Sequence, residues 1–316
     1  MKRLPLLLAL FATFTTTQTS AQEYPNRPVR VLVGLGPGGG SDTVARIMAQ
    51  KLSDMLAQQF VVDNRPSAGG AIASELVARA APDGHTLLAM SPTHVVTPSL
   101  RSNAGYDPIR DFAPVVLTVY TPYVLSVRTS VPANNVKELV ALAKTQRLTY
   151  ASSGIGGANH LTAELFKHVA GIDMTHVPYK SGAQANSALI AGEVHVSFTA
   201  IGGLVSHIKA GRVRALGVTS LKRSAVTPEI PTIAESGVPG YEVIGWYGLA
   251  ATAKTPRAIV EKLNATANRA LPELKERYAS IGTEIAGGSA AEFAAYIKTE
   301  FDKWARVVKI SGAKAE

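Results

Sequence analysis

Apolar residues fall along this chain in two alternating rhythms. Val29-Arg30-Val31-Leu32-Val33 is a short run rich in β-branched residues, as expected of a strand buried on both faces. Gly34 to Gly40 follow as a loop, and from Val44 the apolar positions recur as Ile47, Met48, Leu52, Met55 and Leu56, the spacing of one helical face. Phe60 to Asp63 predicts a second strand, Pro66 and Gly69-Gly70 a loop, Ile72, Leu76 and Val77 a helix, and Thr86 to Met90 a third strand. Strands alternating with helices predict an α/β protein whose parallel sheet is covered on both faces.

The plan then recurs. Leu148 to Ala151 reads as a strand, Ser152 to Gly157 as a glycine-serine loop, and Leu161, Leu165, Phe166 and Val169 as the stripe of the next helix. Met174 to Val177, Val194 to Phe198 and Val213 to Thr219 supply further strands, so two lobes of similar plan are predicted. Pro122 and the Pro228 to Pro239 stretch mark where the chain crosses between them. Phe293, Tyr296, Ile297, Phe301 and Trp304 share a helical face, and that helix is predicted to pack on the first lobe as core.

The N-terminus adds a location. Lys2 and Arg3, an apolar stretch from Leu4 to Phe14 and the run ending Thr19-Ser20-Ala21 form the pattern of an export signal, cleaved before Gln22. That stretch is too short for a stable membrane span. The absence of cysteine removes disulfide and thiol chemistry. With 32 Lys and Arg against 23 Asp and Glu the formal charge is +9, or +7 once Lys2 and Arg3 are left out. The positive residues are scattered, which together with export argues against nucleic acid and leaves a mild field suited to small anions or plain solubility.

Gly34-Leu35-Gly36-Pro37-Gly38-Gly39 matches the dinucleotide-binding fingerprint by letter, between a strand and a helix, with Asp63 ending the next strand. Three readings stand: a dinucleotide site, a turn that only joins strand to helix, and an anion site at a helix N-terminus. Pro37 removes one N–H and export removes the nicotinamide pool, so anion capture is favoured. Ser152-Ser153-Gly154-Ile155-Gly156-Gly157 offers the same resource in the second lobe, with a helix start near Asn159. Two such loops, one per lobe, would meet across an interlobe cleft. No Gly-x-Ser-x-Gly elbow, His-Glu-x-x-His or P-loop occurs. His160 and Glu164 have metal-ligand spacing but no third ligand, so packing or capping is the expectation. Asp42 is expected to cap its helix, with Ser41 as the competing candidate.

Tyr24-Pro25-Asn26-Arg27-Pro28, Gly36-Pro37-Gly38-Gly39-Gly40-Ser41-Asp42, Val62-Asp63-Asn64-Arg65-Pro66, Ala81-Pro82-Asp83-Gly84-His85, Asp111-Phe112-Ala113-Pro114-Val115, His176-Val177-Pro178-Tyr179-Lys180 and Ala234-Glu235-Ser236-Gly237 run in register over the mature chain. The sequence thereby resembles the periplasmic receptors of tripartite tricarboxylate transporters, the Bug family. The resemblance implies a type II periplasmic-binding-protein fold: two α/β lobes, a two-strand hinge and an interlobe cleft. It puts residues 22–122 and 244–316 in lobe I and 123–243 in lobe II, after a signal peptide at 1–21. It implies a periplasmic monomer that captures a small carboxylate and delivers it to the membrane subunits of a tripartite transporter, with no cofactor, metal, nucleic acid or catalysis. The alternatives are a ligand-presenting sensor and a secreted α/β enzyme.

By the same resemblance the ligand carboxylate is held by Leu35, Gly36, Gly38, Gly39, Gly40 and Asp42 of the first loop. Ser152, Gly154, Gly156, Gly157, Asn159 and His160 of the second loop hold it from the other side, partly through backbone N–H groups and bridging waters. Thr93, His94, Tyr179, Lys180, Phe198 and Thr199 are neighbouring candidates. Relatives usually carry an aromatic residue where Leu35 stands, Ser and Pro where Gly157 and Ala158 stand, and commonly an Asp where Thr199 stands. The last departure predicts a non-amine acid as ligand, unless Glu193, of undetermined direction, supplies the missing charge.

Overall fold

The computed structural model describes residues 24–101 and 103–313, so the export segment read at 1–21 lies outside the described residues. The first half of the chain gives β1 (Val29–Val33), α1 (Gly40–Leu56), β2 (Phe60–Asn64), α2 (Ala71–Ala78), β3 (Thr86–Met90) and α3 (Pro92–Leu100). β1 pairs in parallel with both β2 and β3, in line with its nearly continuous apolar run. α1 buries Val44, Ile47, Met48 and Leu52 on the sheet and ends at Ala57, in the left-handed region at φ 51.

β4 (Phe112–Arg128) is the organising element. Its first part pairs antiparallel with β9 (Ile244–Thr252), from Phe112↔Thr252 to Pro122↔Ile244. Its second part pairs antiparallel with β7 (Val196–Ala200) and β8 (Val213–Val218). The partner change falls at Pro122–Tyr123. Pro122 cannot donate to a ladder, and the next amide, Tyr123 N–H, donates to the side-chain hydroxyl of Thr219 at 2.9 Å. Val243 N–H donates to the Thr219 carbonyl, which ties the returning segment to the same point. A single strand therefore runs through both halves, with a second segment beside it.

The second half contains α4 (Val136–Thr145), β5 (Thr149–Ser152), α5 (Ala158–Ala170), β6 (Thr175–Pro178), α6 (Gly182–Ala191) and α7 (Val205–Lys209), with β5 parallel to β6 and β7. The chain closes with α8 (Arg257–Ala279), the two-residue β10 (Glu284–Ile285) and α9 (Ala290–Ser311). The parallel pairings expected around β1 and β5 are present, while β9 is antiparallel to β3 and to β4, because the crossing strands run back against the parallel set.

A correction concerns α9, which packs on α3 and β4 and also on α5 of the second half. Phe293, Ile297 and Trp304 join one apolar cluster that holds both Leu88 and Val95 of the first half and Leu161, Phe166 and Phe198 of the second. Fully burying a large apolar side chain contributes roughly 1.5–3 kcal/mol, so α9 is a substantial brace across the crossing. Inside that contact lies Glu300, 3% exposed, whose carboxylate accepts the indole N–H of Trp246 at 3.0 Å and of Trp304 at 2.9 Å. Lys303 Nζ, at 3.2 Å, supplies the opposite charge.

Candidate functional site

The first loop leaves β1 at Gly34, where the chain passes another backbone at very short range. A Cβ on Gly34 would lie 2.6 Å from Gly70 Cα, so these two loops fit only because Gly34 lacks one. The N-cap of α1 is Gly39, without a side-chain cap. The expectation that Asp42 or Ser41 caps the helix is thus corrected. Asp42 sits in the first turn, buried, and accepts from Gly38 N–H at 2.9 Å, Arg46 Nε at 3.0 Å and Asn64 Nδ2 at 2.9 Å. Burial alone would raise its pKa, but these donors hold the carboxyl below the usual range. Asp42 is therefore a brace inside the loop, its carboxylate already engaged by three donors. Leu35 is half-buried and its carbonyl accepts from Asn64 Nδ2, while Gly36, Gly38, Gly39 and Gly40 are exposed.

The second loop is built the same way. Gly157 is the N-cap of α5, again without a side-chain cap. The Ser152 hydroxyl is buried and occupied by Gly154 backbone and by His176 Nε2 at 2.6 Å. Asn159 Oδ1 accepts from Ser153 N–H at 3.2 Å and from its hydroxyl at 2.8 Å. Gly156 N–H donates to His160 Nδ1 at 3.1 Å, and the His160 ring stacks on His176 with centroids 4.1 Å apart. Burial pushes His160 down, and burial with the adjacent His160 pushes His176 down to about 4. Asn159 Oδ1 and His160 Nδ1 thus shape the loop from within. Gly154 and Gly156 have φ of +119° and +73°, conformations that glycine alone adopts at little cost.

The two halves touch beside these loops. α3 starts against the first loop, where Thr93 and Ser91 line a small recess with Gly34, Leu35, Gly69 and Gly70. It ends at Leu100, and a Cβ on Gly156 would lie 2.1 Å from Leu100 Cδ1. A second contact lies after β7, where a Cβ on Gly202 would lie 2.1 Å from the Ile281 carbonyl oxygen, in the turn after α8. Backbone against backbone thus marks one flank of the space and glycine against leucine another.

Three further candidates are packed into the fold. Both ring nitrogens of His94 are used, by the Ser74 hydroxyl at 3.0 Å and the Pro108 carbonyl at 3.1 Å, and the ring stacks on Tyr106 and meets Phe112 at a right angle. It is a core histidine. Phe198 is fully buried against Phe166, because strand alternation turns it to the α5 side. Thr199 is nearly buried and donates to Asn186 Oδ1 at 2.9 Å, while Asn186 donates to the Gly203 carbonyl. Tyr179 and Lys180 line a shallow groove along α6, and Tyr179 Oη donates to Glu193 at 3.2 Å, so the Glu193 carboxylate points into that groove. Asn186 carried no sequence signal.

The sequence reading also missed Tyr247. It lies on β9 opposite Val119, and a Cβ on Gly40 would lie 2.4 Å from its phenol oxygen. Among the described residues there is no group of side chains able to hold a metal ion, and no helix is long and apolar enough to cross a membrane.

Known proteins resemble this chain in sequence and in fold. The model of the tripartite tricarboxylate transporter family receptors matches residues 44–313. A protein described as "UPF0065 protein in tcbD-tcbE intergenic region" from Pseudomonas sp. (strain P51) is 40% identical over 311 residues, 96% of this chain and 93% of that one. BugT of Bordetella pertussis is 33% identical over 319 residues, 98% of each chain. Among solved structures, R. palustris Rpa4515 with adipate is similar at a TM-score of 0.86 and 36% identity, covering 92% of this chain and 99% of that one. MatC from Rhodopseudomonas palustris with bound malate is similar at a TM-score of 0.81 and 32% identity, covering 90% of this chain and 100% of that one.

Proposed function

The chain belongs to the family of tripartite tricarboxylate transporter receptors, and from that premise we propose that it captures a small organic carboxylate in the periplasm for such a transporter. Members of this family are solute-binding receptors rather than enzymes, and the structures with adipate and malate are of similar proteins. The observation that carries the reading is how the first loop disposes of its own charge. Asp42 is turned inward onto three donors and α1 has no side-chain cap, so the exposed Gly36 to Gly40 stretch leads into a helix N-terminus whose first N–H groups have no side-chain acceptor. Hydrogen bonds to a charged group contribute about 1.5–3 kcal/mol each, so a few of them reach the roughly 8 kcal/mol of a micromolar complex.

In this account residues 1–21 are the export signal, 22–122 with 244–316 form lobe I, and 123–243 form lobe II. The lobes close on the ligand, and the monomer in its closed form is what the membrane subunits recognise. The ligand carries no ammonium. Thr199 and Asn186 offer neutral partners at the end of β7, and Glu193 is engaged with Tyr179. A buried ammonium would need a carboxylate beside it. A thermal-shift screen of residues 22–316 against succinate, adipate, malate, a tricarboxylate, an aromatic acid, aspartate and glutamate tests this, because a ligand of the folded state raises its apparent stability. A non-amine acid should give the largest shift and be recovered unchanged by mass spectrometry. The largest shift from aspartate or glutamate would overturn the choice of ligand class, and conversion of the ligand would overturn the receptor role.

A further inference from the structure

Two glycines, Gly40 and Gly245, each lie close against a phenol oxygen beside the crossing strands. On β9, Gly245 and Tyr247 are two residues apart and so face the same way. A Cβ on Gly245 would lie 3.0 Å from Tyr123 Oη, so the ring of Tyr123, from β4, extends over the bare backbone of Gly245 toward Tyr247. The hydroxyl of Tyr247 in turn rests on Gly40, the first residue of α1. Trp246, between them in sequence, points the other way, to Glu300. Tyr123, Tyr247 and the start of α1 thus form one continuous surface at the crossing.

Every other fully or nearly buried tyrosine in the two apolar clusters has an acceptor for its hydroxyl: Tyr24 on Gly84, Tyr106 on His94, Tyr150 on Glu164, Tyr241 on Thr162 and Tyr278 on Val44. Tyr123, 7% exposed, has none among the described residues, and neither have the half-buried Tyr247, Tyr120 and Tyr296, of which Tyr247 alone rests on the first loop's helix. Neither the Tyr123 nor the Tyr247 hydroxyl is among the polar atoms sealed from solvent without a partner, so both remain open to water or to a ligand. The Tyr247 hydroxyl adjoins Gly40 at the start of α1, and that of Tyr123 lies against Gly245, two residues along β9 from Tyr247. Burial also pushes Tyr247 up to about 12 and Tyr123 higher still, so each remains a protonated donor at neutral pH.

We propose that Tyr247, assisted by Tyr123, is a ligand-binding and specificity-determining residue. Its phenol donates to the carboxylate held at the N-terminus of α1, from the hinge side of the cleft. The inference rests on the carboxylate-receptor reading and adds a donor that neither loop supplies. It also accounts for the glycine at position 40, since any side chain there would push the phenol away.

The test uses residues 22–316 as wild type, Tyr247→Phe and Tyr123→Phe, with adipate, malate, succinate and benzoate as probes by calorimetry. Tyrosine labelled with carbon-13 at Cζ is followed by NMR, the two resonances being identified by their absence in the variants. Tyr247→Phe keeps the ring and removes one oxygen, and it should weaken the best acid by about 10- to 100-fold, the value of one hydrogen bond to a charged group. The Tyr247 resonance should move when that acid is added to the wild type. Affinity retained within about threefold, or a resonance that ignores the acid, would overturn the phenol's role while leaving the receptor reading intact. If Tyr247→Phe binds weakly because its packing has changed, the wild-type resonance still decides. Failure of the wild type to bind any of the acids would remove the receptor reading and this inference together.

Discussion

Gly156, in the loop before α5, lies directly on Leu100 at the end of α3, with a backbone φ of +73° and no room for a Cβ. The position is therefore doubly constrained. Gly156→Ala should lower stability by about 2–4 kcal/mol, from the left-handed backbone and from overpacking against Leu100. Gly39 is different: its φ is −74° and the nearest atom to a Cβ would be Gly36 O at 3.5 Å. Gly39→Leu should leave the melting temperature unchanged and weaken acid binding by about tenfold or more, by covering the N–H groups of α1. Melting curves and calorimetry on both variants check the pair. Equal loss of stability would make the first loop a structural turn only.

Gly202 separates closure from folding. Its backbone is outside the left-handed region, so alanine is tolerated except where its Cβ meets the Ile281 carbonyl. Gly202→Ala should favour a more open arrangement, seen as a larger radius of gyration by solution scattering and a weaker affinity for acid. An unchanged radius with a lowered melting temperature would assign this contact to the fold and not to closure.

Glu300 should be far more sensitive than a surface glutamate. Glu300→Ala leaves the indole N–H groups of Trp246 and Trp304 buried without an acceptor, and should cost about 2–5 kcal/mol. Trp246 and Trp304 are the chain's two tryptophans, so intrinsic fluorescence should change in the same variant. Urea denaturation at neutral pH gives the loss directly, and a loss below about 1 kcal/mol would show that the brace is dispensable.

Acid should weaken the fold before carboxylates titrate. Burial lowers His94 to about 4, and His176 reaches about 4 through burial and the neighbouring His160. Unfolded histidines titrate near 6.5, so between about 6.5 and 4 the unfolded chain holds more protons than the folded one, and stability falls with pH by roughly 1.4 kcal/mol per unit for each such histidine. Denaturation at a series of pH values should show this slope, and His94→Gln should flatten it. A slope confined to pH below 4 would exclude the buried histidines as its source.

The strand–loop–helix units around β1 and β5 were legible in the sequence because a strand buried on both faces leaves an unbroken apolar run and each helix a clean stripe. What periodicity cannot carry is partner choice. β4 changes partners at Pro122–Tyr123, β9 runs against the parallel set, and α9 reaches α5 as well as α3, all through contacts distant in sequence. The loops were found by their glycines, but the inward turn of Asp42 depends on Asn64, and the burial of His94 depends on Ser74 and Pro108. Tyr247 had one available signal, the glycines at 245 and 248 flanking Trp246-Tyr247 within a strand, where glycine marks close approach. Its proximity to Gly40 joins residues too far apart in the chain for any local pattern to reveal.

The most direct measurement is calorimetric titration of residues 22–316 with the acid that gives the largest thermal shift, set beside its neutral methyl ester. An anion site built from backbone N–H groups predicts a dissociation constant of about micromolar or tighter for the free acid, and weakening by about 100-fold or more when the charge is removed. Equal binding of acid and ester, or no binding of any organic acid by the folded protein, would contradict the carboxylate-receptor account.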